Sequence, residues 1–198
     1  GARALDAGIE ADARAPQPRI GSVLDAADAF IRREVNADGN AASNDGMDCF
    51  ILDYRKTGDS SYASANFTVF AQRGEEIFEI DNDLGSIGYR LQEEDAVPAF
   101  ETRPITLSDY DNLVIVSDGI LDQIGGPKRL SLGRRRLLQM ISDAITPRDN
   151  SGQTVGDQTG GTQINGSALR ESIHRYQGEN EQRDDMTLVI LPCGALSA

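Results

Sequence analysis

The sequence predicts an α+β fold in which antiparallel sheets are layered with helices on the outside. The elements run helix, several strands, two helices, strand, which suits stacked layers better than alternating βα units. The early strands are joined by short turn-like stretches, so neighbours return antiparallel. The longer helical patterns each carry one apolar face that needs a sheet to cover it.

Taken in order, residues 1–19 are Ala-rich and interrupted by Pro16 and Pro18, so no helix forms there. Ser22 can cap a helix whose apolar positions are Val23, Leu24, Ala27, Phe30, Ile31 and Val35. Residues 36–45 read as a polar loop, and Asp45 serves a turn. Met47 to Tyr54 reads as a strand, residues 56–59 as a turn, and Ser61 to Asn66 as the return strand. Phe67 to Ala71 and Glu76 to Ile80 flank Arg73-Gly74-Glu75, a hairpin signal. Residues 81–90 form a Gly-punctuated loop. Thr102 to Leu107 and Leu113 to Ser117 read as a further antiparallel pair turning at residues 108–111. A helix spans about 131–146, with Leu137, Leu138, Ile141, Ala144 and Ile145 on one face, and Pro147 stops it. Residues 148–165 are polar and Gly-rich and read as a flexible insertion. Ser167 to Tyr176 is a last helix. Asp185 to Leu191 is a last strand, apolar enough to be central.

Composition narrows the function. The chain has 198 residues, a size that suits one domain. Hydrophobic residues make up 39%, enough for a packed core rather than wholesale disorder. There are 32 acidic against 19 basic residues, a net charge of −13, which repels nucleic acid and anionic membranes. No apolar run approaches the ~20 residues of a membrane helix, and no signal peptide is visible. A chain that begins with Gly1 reads as processed or trimmed. Cys49 and Cys193 are too few for a disulfide framework and read as reduced thiols of an intracellular protein. A single histidine, His174, leaves little room for Ser-His-Asp, Cys-His or zinc chemistry. It reads as a helix-surface residue, and Cys49 as a small buried hydrophobe. If chemistry is done here, carboxylates carry it, and carboxylates prefer magnesium, manganese or calcium.

One carboxylate stands out. Asp118 follows the apolar run Val114-Ile115-Val116 directly, with Gly119 behind it, while Asp184 and Asp185 precede the apolar run 186–191. If those two strands are antiparallel neighbours, the end of the first lies beside the start of the second. The acids then share one edge of the sheet, where a divalent cation relieves their repulsion. Ordinary turn chemistry explains each acid equally well when taken alone.

The stretches "NDGMDCFILDY" (44–54), "GSIGYR" (85–90), "VSDGILDQIGG" (its core 116–126) and "RDDMTLVIL" (183–191) resemble the type 2C metal-dependent serine/threonine phosphatases. They are most similar to the bacterial SpoIIE and RsbU branch. "ILDQIGGPKRLSLGRRR" (120–136) and "YQGENEQRDDMT" (176–187) resemble the SiaA-type biofilm-signalling phosphatases in particular. The resemblance implies a layered αββα sandwich and makes residues 1–198 one SpoIIE-like phosphatase domain. It matches the C-terminal portion of the family domain, with N-terminal strands missing. It implies Asp118 and Asp184 as catalytic metal ligands, and Asp185 as an outer acceptor or a ligand to an extra metal. The family uses a binuclear manganese or magnesium centre whose bridging water attacks phosphorus in line, with no phosphoenzyme. The family's first metal motif, Asp-x-x-Gly-His-Gly, is absent from this sequence. Asp118 and Asp184 alone are then expected to bind one cation weakly rather than a bridged pair.

The implied function is hydrolysis of phosphoserine or phosphothreonine on a small regulatory protein, an anti-sigma-factor antagonist of the STAS type, in bacterial signalling. The alternative is a catalytically impaired module that binds a signalling partner without hydrolysis. A calcium-binding acidic protein is a third reading, although no EF-hand loop is present. Lys128, Arg129, Arg134, Arg135 and Arg136 form a basic cluster that reads either as a docking patch for a phosphorylated partner or as a solvated helix face. Lys128 and Arg129 are its candidate substrate-binding residues. The expected setting is cytoplasmic, as a homodimer or as part of a larger membrane-anchored sensor.

Overall fold

Helix α1 (Ile20–Val35) shows how the first part of the chain is organised. In the computed structural model, which describes residues 20–35, 46–55, 60–83, 85–88, 100–147 and 162–195, Ile20, Val23, Leu24 and Ala27 are buried on one side of this helix. That 3.6-residue spacing is what a helix lying on a sheet requires. The sheet beneath contributes Ala63 and Ala65, both without exposed surface. Their small side chains let the helix pack close, and Ile87 and Phe100 complete the cluster. Asp28 lies inside this unit at 1% exposure. It is tolerated there because the Gly88 N–H donates to it at 2.7 Å and Arg32 pairs with it at 2.7 Å.

The described residues fall into two units, those within 20–67 and 81–106, and those within 68–80 and 107–195. In the first, β1 (Cys49–Asp53) and β2 (Ser60–Ala65) form an antiparallel hairpin, and β5 (Arg103–Ile105) adds to β2. Residues 102–107 therefore do not pair with 113–117, as the sequence suggested. The backbone N–H of Asp111, which a tight hairpin would use, instead donates to the Gln72 carbonyl at 2.8 Å. Its carboxylate accepts from the Gly74 N–H at 2.8 Å. The turn between the two strands is thus fastened to another hairpin, and each strand finds a different sheet.

In the second unit, β3 (Thr68–Arg73), β4 (Glu76–Ile80), β6 (Asn112–Val116) and β11 (Leu188–Pro192) form an antiparallel sheet in the order β11-β6-β3-β4. Every residue of β6 is buried. Phe70, Val114 and Val116 pack into one core with Leu137 and Ile141 of α3 (Gly133–Asp143) and Leu169 and Ile173 of α4 (Gly166–Gln177). Each such aliphatic side chain contributes roughly 2 kcal/mol by burial. A short helix, α2 (Asp118–Asp122), and the two-residue strands β7 (Ile124–Gly125) and β8 (Leu130–Ser131) lie between β6 and α3.

Two further expectations are corrected here. Among the described residues strand β11 lies at the end of its sheet, paired to β6 alone, and its Val189 is 45% exposed. An apolar run identifies a strand but cannot say how many neighbours it has. The flexible reading of 148–165 fails at its C-terminal end. Residues 162–164 form β10, which pairs with β9 (Ile145–Pro147), while residues 148–161 lie outside the described residues. Ile164 is buried in the core, which outweighs the polar composition around it. Asn165 then caps α4, its side chain accepting from the Ala168 N–H at 3.1 Å.

The α+β class with antiparallel sheets and helices packed on them is what both units show. Among the described residues no helix is long and apolar enough to cross a membrane.

Candidate functional site

Strand β6 delivers the chain to Ser117 in an extended conformation, φ −75° and ψ 159°. Ser117 sits where a serine normally caps a helix, yet its hydroxyl makes no cap hydrogen bond. It reaches sideways instead. The hydroxyl donates to the Asp185 carbonyl at 3.1 Å and accepts from the Thr187 N–H at 3.0 Å. The Ser117 N–H donates to the Thr187 carbonyl at 3.0 Å. These bonds extend the β6–β11 ladder, in which Val116 pairs with Leu188, by one register position.

Gly119 closes the arrangement. It is buried, and a methyl group on it would collide with the carbonyl of Asp185 and come within 3.3 Å of the Asp184 Cβ. Only a residue without a side chain lets the first turn of α2 lie against the 184–185 backbone. Asp118, the first residue of α2, and Asp184-Asp185 are thereby gathered at the same end of the β6–β11 pair. Asp118 is half-buried, while Asp184 and Asp185 are exposed. The Asp184 carboxylate accepts from the Asp185 N–H at 2.7 Å, and its carbonyl accepts from the Gln182 amide at 2.8 Å.

Carboxylate oxygens are the donors that manganese and magnesium prefer, so the residues fit a hard cation in kind. In number they fall short of a bridged pair. Among the described residues no three Asp, Glu, His or Cys side chains come together as a metal-binding group.

Beside the acids, β7 and β8 form a small hairpin with Lys128 and Arg129 in its turn, both exposed. Tyr176, at the end of α4, anchors this hairpin. The Gly126 N–H donates to the Tyr176 carbonyl at 2.7 Å, and the Tyr176 hydroxyl donates to the Leu130 carbonyl at 2.8 Å. Side chains at Gly125 or Gly126 would run into the tyrosine, which explains the paired glycines of "IGGPKR". Arg136 stacks 5.6 Å from the Tyr176 ring centre and donates to the Ser131 carbonyl at 2.9 Å. Arg134 pairs with Glu79 at 3.1 Å. The basic run thus has several different neighbours, with Lys128, Arg129, Arg134 and Arg135 exposed and Arg136 half-buried.

Sequence reading expected Gly119 to let backbone approach closely, as it does, and missed the roles of Ser117, Tyr176 and Gln123. The Gln123 amide is buried and donates to the Ile124 and Glu181 carbonyls at 3.0 Å each. The "SDG" triplet was the available signal for Ser117. Nothing local marks the others. His174 is exposed on α4, as expected of a surface residue. Burial, with a lesser contribution from Asp111, pushes the Cys193 thiol up to about 11. Burial, and then Asp48, also raises Cys49. Both thiols stay protonated and are poor nucleophiles at neutral pH.

No protein-family profile matches this sequence, and no curated protein is detectably similar to it. Solved structures do match. The SiaA-PP2C domain of Pseudomonas aeruginosa superposes with a TM-score of 0.68 at 23% identity, over 96% of this chain and 66% of that one. A bacterial serine phosphatase bearing an arginine-to-alanine mutation gives a TM-score of 0.53 at 13% identity, over 88% of this chain and 65% of that one. An unmutated bacterial serine phosphatase gives 0.50 at 12% identity, over 86% of this chain and 67% of that one. The chain thus spans about two thirds of the length of these domains. On the element order, the β6–β11 pairing and these superpositions, this chain carries the fold of the PP2C-type bacterial serine phosphatase domains.

Proposed function

We propose that this chain is a metal-dependent protein serine/threonine phosphatase domain acting on a small phosphorylated regulatory protein of the STAS antagonist type. The observation that carries the reading is the packing of Gly119 on Asp184 and Asp185, which brings the acids of "SDG" and "DDMT" to one sheet end. The PP2C-like fold and the sequence resemblance support it. Asp118 and Asp184 are the residues that would hold manganese or magnesium, with Asp185 as a further acceptor. A bound cation there would polarise the phosphate oxygens and acidify the attacking water.

The chain's own residues supply position. Ser117 fixes where α2 begins, Gly119 sets the spacing, and the Asp185 N–H orients the Asp184 carboxylate. Direct attack by water suits this chain, because both thiols are held protonated and His174 lies on a helix surface. The setting we infer is cytoplasmic bacterial signalling, and self-association remains part of the proposal.

A second reading is favoured by one observation: among the described residues no three Asp, Glu, His or Cys side chains form a group that could hold a metal ion. It makes the chain a binding module that recognises a signalling partner without hydrolysis. Manganese-dependent hydrolysis of p-nitrophenyl phosphate and of a phosphoserine peptide separates the two. Turnover that disappears in Asp184→Asn supports the phosphatase. Inert protein that still binds manganese in calorimetry supports the binding module.

A further inference from the structure

A cleft of about 710 Å³ is lined by Ile124, Arg129, Glu179, Asn180, Glu181 and Arg183. Arg183 immediately precedes Asp184, so cleft and acids are continuous along the chain. One wall is the β7–β8 hairpin and the other is the loop that leaves α4. The walls are tied together. Gln123 donates to the Ile124 carbonyl in one and the Glu181 carbonyl in the other, at 3.0 Å each. Asn180 fastens the loop to the helix end, its amide donating to the Gln177 carbonyl at 2.7 Å.

Two features are not explained by packing. Arg129 holds a left-handed backbone with φ +49°, a conformation unfavourable for a non-glycine residue. Glycine or asparagine would fill that turn more easily, so the guanidinium is kept at some expense in stability. Moreover, the two arginines and two glutamates line one cleft without forming an ion pair with each other or with any other described residue. Among the described residues, Arg32, Arg55, Arg103 and Arg134 are paired with carboxylates, whereas the helix residues Arg135, Arg170 and Arg175 are not, so what sets the cleft apart is unpaired charge of both signs on tied walls. Opposite charges held apart on tied walls suit a ligand that brings both signs.

We infer that this cleft reads the polypeptide flank of a phosphorylated protein substrate, taking an acidic side chain on Arg129 and Arg183 and a basic one on Glu179 and Glu181. The inference rests on the phosphatase reading and adds a specificity determinant to it. Small aryl phosphates would not reach the cleft, whereas a peptide seated at the acids would cross it.

The test uses phosphoserine peptides with manganese. One set carries a Glu and a Lys near the phosphoserine, on either side, and a matched set carries alanines there. The charged-flank peptides should show kcat/KM about tenfold higher, chiefly through KM, and the advantage should shrink at high salt. Reversing Arg129→Glu with Arg183→Glu should move preference to flanks carrying only basic residues. Reversing Glu179→Lys with Glu181→Lys should move it to acidic flanks. Equal turnover of charged and alanine flanks by the wild type, or variants that keep its ranking, overturns the inference. If p-nitrophenyl phosphate is hydrolysed while the peptides are not distinguished, the cleft fails and the phosphatase stands. If nothing is hydrolysed but charged-flank peptides bind more tightly by fluorescence anisotropy, the phosphatase fails and the cleft stands.

Discussion

Asp83 and Asp184 are both carboxylates beside strands, and the chain treats them in opposite ways. Asp83 is answered from within. Both guanidinium nitrogens of Arg103 donate to it, at 2.8 and 2.9 Å, and the Glu101 N–H adds a third bond at 3.0 Å. Hydrogen bonding from Arg103 holds its carboxyl below the usual range. Asp184 receives one backbone N–H, and among the described residues no arginine or lysine pairs with it. A carboxylate neutralised by its own chain is structural. A carboxylate that shares a sheet end with other acids and has no internal cation would be open to an external one.

Four experiments would break or sharpen that contrast. The largest effect is expected at the acids themselves. Asp118→Asn or Asp184→Asn should lower manganese-dependent hydrolysis about a hundredfold or more while the thermal unfolding midpoint hardly moves, since removing a ligand costs chemistry rather than core. A large drop in the midpoint with activity retained would make these acids structural, like Asp83.

Next comes Gly119→Ala. Its added methyl must displace the Asp185 carbonyl, so stability should fall by about 2 kcal/mol and manganese binding should weaken with it. Binding at wild-type strength in calorimetry would show that the spacing of the two segments is irrelevant to the cation.

Asp83→Asn should cost about 1 kcal/mol and leave manganese binding intact. Its pH signature has a definite sign. Because the folded pKa is lowered, the pair's contribution is present above the unfolded value of about 3.9 and is lost as pH falls through the folded value. Acid unfolding curves of wild type and Asp83→Asn should therefore converge below pH ~4, and curves that stay parallel there would remove Asp83 from the account.

The smallest effect belongs to Cys193. Its raised thiol contributes stability that is complete below the unfolded value of about 8.5 and declines as pH climbs toward about 11. Cys193→Ala should flatten the stability curve across that window. Rapid alkylation of the folded protein at neutral pH would contradict a protonated, buried thiol.

Much of this molecule is legible in its amino-acid order. The helix at 20–35 announces itself by period, although Ser22, the expected cap, lies inside its first turn, and β6 announces itself by three β-branched residues in succession. The pairing of β6 with β11 follows once the acids of "SDG" and "DDMT" are seen to flank two buried strands. Long-range choices were less legible. Strand β5 looked like the partner of β6 because the two are close in sequence, but Asp111 spends its hydrogen bonds on the Gln72–Gly74 turn. Ile164 belongs to a segment whose polar, Gly-rich composition suggests flexibility, and its burial reverses that locally. The basic run 128–136 looks uniform on paper, and only its neighbours distinguish Arg134 and Arg136 from Arg129.

The sequence by itself determined the class of fold and the strand that ends at Asp118, and it offered the acids as candidate ligands for a hard cation. Those follow from short-range rules: side-chain periodicity, turn chemistry and the oxygen donors of carboxylates. The tertiary structure alone decided that Ser117 staples rather than caps, that Gly119 meets the backbone of Asp184 and Asp185 in particular, that β11 ends its sheet among the described residues, and that Tyr176 holds the hairpin carrying Arg129. Each of these depends on which distant backbone groups remain to be hydrogen-bonded and covered, and that is settled only when the chain closes on itself.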